Sequence, residues 1–259
     1  LGVCGFKTNR FSESARTFGE FLREFPDSEL AASAGFFCGE ALYKTGEHRD
    51  AAARLTRVVE KFASDAVYGP SLLRLGECEA LMQHWTKSER AFATYLDRFG
   101  DGEQWFQARF GVGWARENER RYDVAIEAYT EVAERHQGPT AARAQFQIGE
   151  CLFAQKRYEP AVRALLKVDV LYAYPEWSAA ALYEAGRCFG HLAKPTEARA
   201  QFTRVIETYE KTRWFDPICL AATRRGARCD YPSSGRKKKA RRHEVKNRKN
   251  RRETSWCMR

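Results

Sequence analysis

The tripeptide Gly-Glu-Cys stands twice in this chain, as Gly76-Glu77-Cys78 and as Gly149-Glu150-Cys151. A thiol beside a carboxylate is raw material for a nucleophile, a redox centre or a metal site, so the eight cysteines come first. Cys4, Cys38, Cys78, Cys151, Cys188, Cys219, Cys229 and Cys257 include no C-x-x-C pair, and the histidines complete no H-E-x-x-H or Cys-His ligand spacing. No metal site follows. A disulfide framework is disfavoured too, because such frameworks staple chains too short to build a core. Acid pairs such as Glu77 and Glu79, or Glu117 and Glu119, could act as general acid and base. Residues two apart on a helix do not face each other, however, and no nucleophile, base and orienting group converge as an enzyme site requires. The Gly-x-Gly at Gly111 and Gly113 follows no expected strand and so makes no dinucleotide loop; no G-x-x-x-x-G-K-[ST] occurs. The reading is of a non-enzyme without cofactor or metal.

What spaces the thiols is a repeat. Gly2, Gly39, Gly76, Gly113, Gly149 and Gly186 follow one another at 37, 37, 37, 36 and 37 residues. Five residues before the glycine stand Ala34, Ser71, Ala108, Ala144 and Ala181; three before it stand Phe36, Leu73, Phe110, Phe146 and Tyr183. Twelve after it come Ser14, Ala51, Ser88, Ala125, Ala161 and Ala198, and sixteen after it Phe18, Leu55, Phe92, Tyr129, Leu165 and Phe202. Nineteen after it come Phe21, Val58, Tyr95, Val132, Val168 and Val205, and twenty-three after it Phe25, Phe62, Phe99, His136, Tyr172 and Tyr209. These last four columns advance by four, three and four, which is one face of a helix. Each unit is therefore two amphipathic helices, joined by turns such as "KTGEHRD" and "ENERRYD" and linked by "FPDSEL" or "FGDGEQ". Small residues let helices approach to about 8 to 10 Å while large ones fill the grooves beside them. A unit this small cannot bury its own face, so the units must stack. Two residues after the glycine the column reads Cys4, Ala41, Cys78, Ala115, Cys151 and Cys188. Cysteine alternating with alanine is expected to be a small packer in the seam. His136, in the aromatic column, and His48, in the turn column with Trp85, Tyr122 and Tyr158, are expected to pack as well.

With Gly39, Ala51 and Leu55, or Gly113, Ala125 and Tyr129, at the corresponding positions, the chain resembles the tetratricopeptide repeat family over roughly residues 1–212. The resemblance implies an all-α, right-handed α-solenoid of about six helix pairs with period 36–37, the first pair truncated. The period exceeds the usual 34 of that family, its early Trp column is missing and its late Pro survives only as Pro26. The Phe-Pro-Asp-Ser entry is more narrowly similar to the repeats of bacterial outer-membrane-assembly lipoproteins of the BamD type and of the periplasmic tol-pal coordinator. That likeness implies an adaptor in a cell-envelope complex, in the periplasm or at the outer membrane, with the cytoplasm as the other compartment. In such arrays the first helices form the concave wall, which points to a partner-binding groove of Glu40, Tyr43, Glu77, Trp114, Asn118, Glu150, Phe153 and Arg187, with Lys44, Glu117 and His191 beside them. Acids mixed with aromatics suit a protein or peptide segment that is basic and apolar. The competing reading is that these are ordinary exposed helix residues.

The rest of the chain has a different composition. Of the net charge of +10, the stretch from Arg224 to Arg259 carries 15 Lys and Arg against 3 Asp and Glu, leaving 29 against 31 before it. The stretch 213–229, with Asp216 before Pro217, is expected to form a capping helix, and 230–259 a disordered basic tail. Arg236, Lys237, Lys238, Lys239, Arg241 and Arg242 would give that tail salt-sensitive affinity for nucleic acid or anionic lipid. Against this stand a purely solubilising extension and a gene-boundary artefact. No apolar run is long enough to cross a bilayer, and "LGVCGFKTNRF" lacks a secretory leader pattern. Because Leu1 aligns one residue before a repeat glycine, the natural protein is expected to extend upstream. The partner and the oligomeric state are not legible in these residues.

Overall fold

The computed structural model describes residues 1–100, 102–172 and 174–209. The expected capping helix at 213–229 and the basic tail at 230–259 lie outside them. Among the described residues there are twelve helices and no strand: α1 (Gly2–Lys7), α2 (Phe11–Glu24), α3 (Ala31–Thr45), α4 (His48–Lys61), α5 (Tyr68–Leu81), α6 (Trp85–Phe99), α7 (Trp105–Asn118), α8 (Tyr122–Arg135), α9 (Pro139–Ala154), α10 (Tyr158–Leu171), α11 (Pro175–His191) and α12 (Pro195–Thr208). The odd-numbered helices carry the repeat glycines and the even-numbered ones the small-then-large face. The fold is an all-α solenoid. Each helix packs on the next, and next-but-one packing of any extent joins only odd-numbered helices. The first helices thus crowd along one wall, as successive units do when a stack of pairs curves towards one side.

Every first helix ends in the same way. Arg10, Glu47, His84, Arg121, Arg157 and Lys194 each donate a backbone N–H to the carbonyl five residues back. The residue before each of them has a positive φ: Asn9, Gly46, Gln83, Arg120, Lys156 and Ala193. This is the Schellman turn, which satisfies carbonyls that the helix end leaves unpaired. Gly46 adopts that geometry without steric cost, whereas each residue with a Cβ gives up about 1 kcal/mol. The turn therefore persists because packing of the following helix holds it, and not because the local sequence selects it.

The glycine column is a slot for the residue sixteen positions on. A Cβ on Gly39 would lie 2.7 Å from Leu55 Cγ, one on Gly76 2.7 Å from Phe92 Cζ and one on Gly113 2.8 Å from Tyr129 Cε1. Real Cβ atoms do not come so close, and Leu55, Phe92 and Tyr129 are fully buried with no room to retreat. The serines of the small column have a further role: Ser14 Oγ donates to the Gly2 carbonyl at 2.9 Å and Ser88 Oγ to that of Gly76 at 2.8 Å. Gly76→Ala is expected to lose about 1 to 2 kcal/mol, because overpacking outweighs the roughly 1 kcal/mol gained in helix propensity. Gly19→Ala, in α2 where nothing lies within 4 Å of the added carbon, should instead gain about 1 kcal/mol. Urea midpoints of the two variants moving in the same direction would contradict this account.

One expected core column departs from that reading. The residues twenty-three after the glycine do not continue the buried face: Phe25 and Phe99 are exposed, and Phe62, His136, Tyr172 and Tyr209 are half-buried. The second helices stop at or just before them, so these side chains sit at the helix end, outside the continuous buried face, and pack there on what lies beside it. His136 stacks flat on Phe106 with centroids 3.7 Å apart, and the Tyr172 hydroxyl donates to the Ala133 carbonyl at 3.1 Å.

Candidate functional site

Among the described residues, no group of His, Cys, Asp and Glu is placed to hold a metal ion, and no helix is long and apolar enough to cross a membrane. Cys78, Cys151 and Cys188 are fully buried in the seam. Burial pushes all three thiols up, that of Cys188 to about 12, so none is a ready nucleophile. Cys4 departs from the column and is exposed on α1, which packs on α2 and α3. Alkylation of the native protein followed by peptide mapping should label Cys4 in the first minutes, while Cys78, Cys151 and Cys188 wait for unfolding. Early labelling of Cys78 would show that the seam is open.

The residues expected to line the groove gather into two clusters on the odd-numbered helices, with Trp114 and Asn118 on α7 between them in the stack. In the first cluster Arg74 of α5 uses both edges of its guanidinium. Nε and Nη2 donate to the two carboxylate oxygens of Glu40 on α3, and Nη1 donates to Glu77 on its own helix. Its flat face covers the Tyr43 ring, with 4.2 Å from Cζ to the centroid. Glu40 and Glu77 are both buried. Loss of hydration, only partly offset by Arg74 and reinforced by the charge of Glu40, pushes the Glu77 carboxyl up to about 7. Arg74, facing two carboxylates, stays cationic throughout.

The second cluster has the same plan with the charges exchanged. Arg187 of α11 covers the Phe153 ring of α9 at 4.6 Å, donates to the buried carboxylate of Glu184 on its own helix, and is held electrostatically by Glu150 of α9. In both clusters a guanidinium from one repeat sits over the aromatic four residues after the glycine of the repeat before it. Only the ends of the three-residue spacing are swapped: Arg74 and Glu77 in one, Glu184 and Arg187 in the other. Tyr158 and His191 stack beside Phe153 with centroids 4.6 Å apart and planes at 3°. Between the clusters, Glu117 accepts from the Tyr129 hydroxyl at 2.7 Å and from Gln147 Nε2 at 2.8 Å, and burial raises its pKa. Trp114 meets Trp85 edge-on at 5.5 Å and is half-buried, and Asn118 Nδ2 donates to the Trp114 carbonyl at 2.8 Å. The turn-column aromatics Trp85, Tyr158 and His48, the last of which lies 5.5 Å from Tyr43, wedge against this wall.

The carboxylates of the wall are thus not an open acidic surface. Glu40 and Glu77 were expected to meet a partner directly, yet their first ligand is Arg74, which the sequence reading did not pick out. Arg74 and Glu184 both lie two residues before a repeat glycine, and residues three apart on a helix are neighbours, so that column shares a face with the one that holds Glu40 and Glu77. Next to Arg74 a cavity of about 140 Å³ opens between α3, α5 and α7. Phe36, Pro70 and Leu73 form its apolar sides. Phe36 and Leu73 belong to the large-residue column three before the glycine, expected to fill grooves between helices, and they also line this cavity.

A stack of helix pairs with a shared inner wall defines the class: a helical-repeat solenoid. The chain belongs to the tetratricopeptide repeat family, whose models match residues 6–66 and 113–176, and then 180–212. No curated protein matches the chain in sequence. Solved structures do match in fold. A MamA protein (residues 41 to the end) from Desulfovibrio magneticus RS-1 is 18% identical with a TM-score of 0.59, over 70% of this chain and 96% of that one. YrrB, described as a TPR protein with an unusual peptide-binding site, is 17% identical with a TM-score of 0.58, over 81% of this chain and 99% of that one. The apo form of RapI is 15% identical with a TM-score of 0.70, over 82% of this chain and 62% of that one. At such identities the likeness is one of fold. None of these matches carries the narrower likeness to BamD-type and tol-pal repeats.

Proposed function

We propose that this protein is a non-enzymatic scaffold that captures a protein or peptide segment along the wall of its first helices. The observation that carries the reading is the pair of cross-repeat clusters, Arg74 over Tyr43 and Arg187 over Phe153, with half-buried Trp114 between them. Half-exposed aromatics framed by paired charges offer apolar anchors inside a polar rim, the usual anatomy of a binding surface. YrrB shows that a solenoid of this fold can carry a peptide-binding site. Random peptides selected on the full-length chain should lose at least about tenfold in affinity on the double change Trp114→Ala and Glu150→Ala, with helicity unchanged. Selected peptides that bind the variant equally well would remove the wall from consideration. A place for this scaffold in a bacterial envelope complex rests on the Phe-Pro-Asp-Ser repeat likeness. A secretory leader encoded upstream of Leu1 would support it, and an upstream coding sequence that begins without one would refute it.

The charge concentrated after Arg224 favours a second reading, in which the tail binds nucleic acid or an anionic membrane surface while the solenoid selects a protein. Binding of RNA or of anionic vesicles that survives deletion of residues 230–259 would sink it.

A further inference from the structure

The cavity between α3, α5 and α7 has a chemistry that narrows what the wall can hold. Its volume of about 140 Å³ is close to that of a cavity that admits one benzene-sized group, so it takes a single side chain and not a length of backbone. Its charged floor is Glu40, Arg74 and Glu77, and Gln104, just before α7, and Gln107 of α7 add their amides. Two carboxylates against one guanidinium leave a surplus negative charge once Glu77 is ionised, from about pH 7 upward. Three of the five N–H donors of Arg74 are committed to acids, Nε and Nη2 to Glu40 and Nη1 to Glu77, and one face lies on Tyr43. An entering carboxylate or phosphate would bring a third acid to a single guanidinium. A cation instead meets acceptors, namely the Glu77 carboxylate and the amide oxygens of the two glutamines. The apolar sides formed by Phe36, Pro70 and Leu73 suit a methylene stem, the part of a lysine or arginine side chain that buries readily while its head stays with polar groups.

We infer that this cavity is a specificity pocket for one lysine or arginine side chain of the captured segment, seated between Glu77 and the Gln104 and Gln107 amides. The inference rests on the reading of the first-helix wall as a capture surface and adds to it the residue type recognised at one position. It also sets the polarity of recognition: a segment bearing an acidic residue or a free C-terminal carboxylate at that position is rejected, because it would face Glu40 and Glu77 across a poorly hydrated gap.

The test uses random peptides selected on the full-length wild-type chain. Peptides that depend on Trp114 should share one Lys or Arg. Replacing that residue by norleucine, or by citrulline where it is Arg, should weaken binding about tenfold or more, since a charge pair in a half-buried setting is lost. Glu77→Gln should cause a similar loss, and the two changes together should cost little more than either alone. Should Glu77→Gln fail to fold, the comparison of the lysine and norleucine peptides on the wild-type protein decides alone. Trp114-dependent peptides that carry no basic residue, or that bind equally with norleucine, overturn the pocket while leaving the capture wall standing. Peptides sharing an acidic residue or needing a free carboxyl terminus overturn it as well. Selection that yields no Trp114-dependent peptide overturns both readings.

Discussion

Arg74→Met is expected to lower the stability of the solenoid by about 3 to 5 kcal/mol at about pH 8, the usual consequence of removing one member of a buried ion pair. The loss comes from what remains. Glu40 and Glu77 are both buried, and without Arg74 two like charges are left in a poorly hydrated space. The pH dependence identifies the cause. In the native protein the Glu77 carboxyl is pushed up to about 7 from an ordinary 4.5. The unfolded chain therefore loses this proton first, and the contribution of Glu77 to stability falls as pH rises from about 4.5 to about 7 and is level above that. Arg74 is among the groups that hold the value down. In its absence the folded value climbs further and the penalty continues to grow above pH 7. The deficit of the variant relative to the native protein should consequently widen between about pH 6 and pH 8 and narrow below about pH 5. Urea midpoints across that range measure it, and a deficit independent of pH would show that Arg74 acts by packing over Tyr43 alone.

Phe92→Ala is expected to cost about 3 to 5 kcal/mol, and the position of the ring says where the damage falls. Phe92 stands on α6, is fully buried, and lies against Gly76 of α5 and Gly111 of α7. It fills its own repeat and also the joint to the next one. Truncation leaves a cavity that two backbones held at fixed spacing cannot close. Because each repeat is stabilised by its nearest neighbours, amide exchange should accelerate through α5, α6 and α7 well before α9, α10 and α11. Phe18 occupies the same column at the first pair, where it is only half-buried, so Phe18→Ala should cost much less. Equal losses at the two positions, or exchange that accelerates evenly over the whole chain, would mean that the stack melts as one unit.

The site was legible to an uneven degree. Period and offsets return a residue one or four after each repeat glycine to the same face of every first helix. The resemblance to tetratricopeptide arrays is what pointed to that face as a groove wall with Glu40, Tyr43, Glu77, Glu150, Phe153 and Arg187, and the structure brings these six together in two groups. What the offsets could not show is how the charges on that face partner one another. Arg74 reaches across 34 residues of sequence to Glu40, and no local pattern encodes which of several acids a long side chain will meet. The cavity beside Arg74 escaped for the same reason, since it is bounded by three helices from three repeats.

At the level of the fold, the sequence by itself determined the repeat, the helix pairs and the seam. A glycine every 36 to 37 residues and a large residue sixteen later are the two halves of one contact, seen in Gly39 with Leu55 and Gly113 with Tyr129. Burial against a neighbouring helix demands those residue types, so the pattern can be read without coordinates. Three things were decided by tertiary structure. The left-handed turn after each first helix, occupied by Asn, Gln, Arg, Lys and Ala as well as Gly, is imposed by the docking of the next helix against local preference. The exposure of Phe25 and Phe99 follows from where the second helices stop. The protonation of Glu77 depends on how much water the surrounding helices exclude and on two charged neighbours, one of them in another repeat. Each of these is a property of elements meeting in space, where a local pattern of residues carries no record of the outcome.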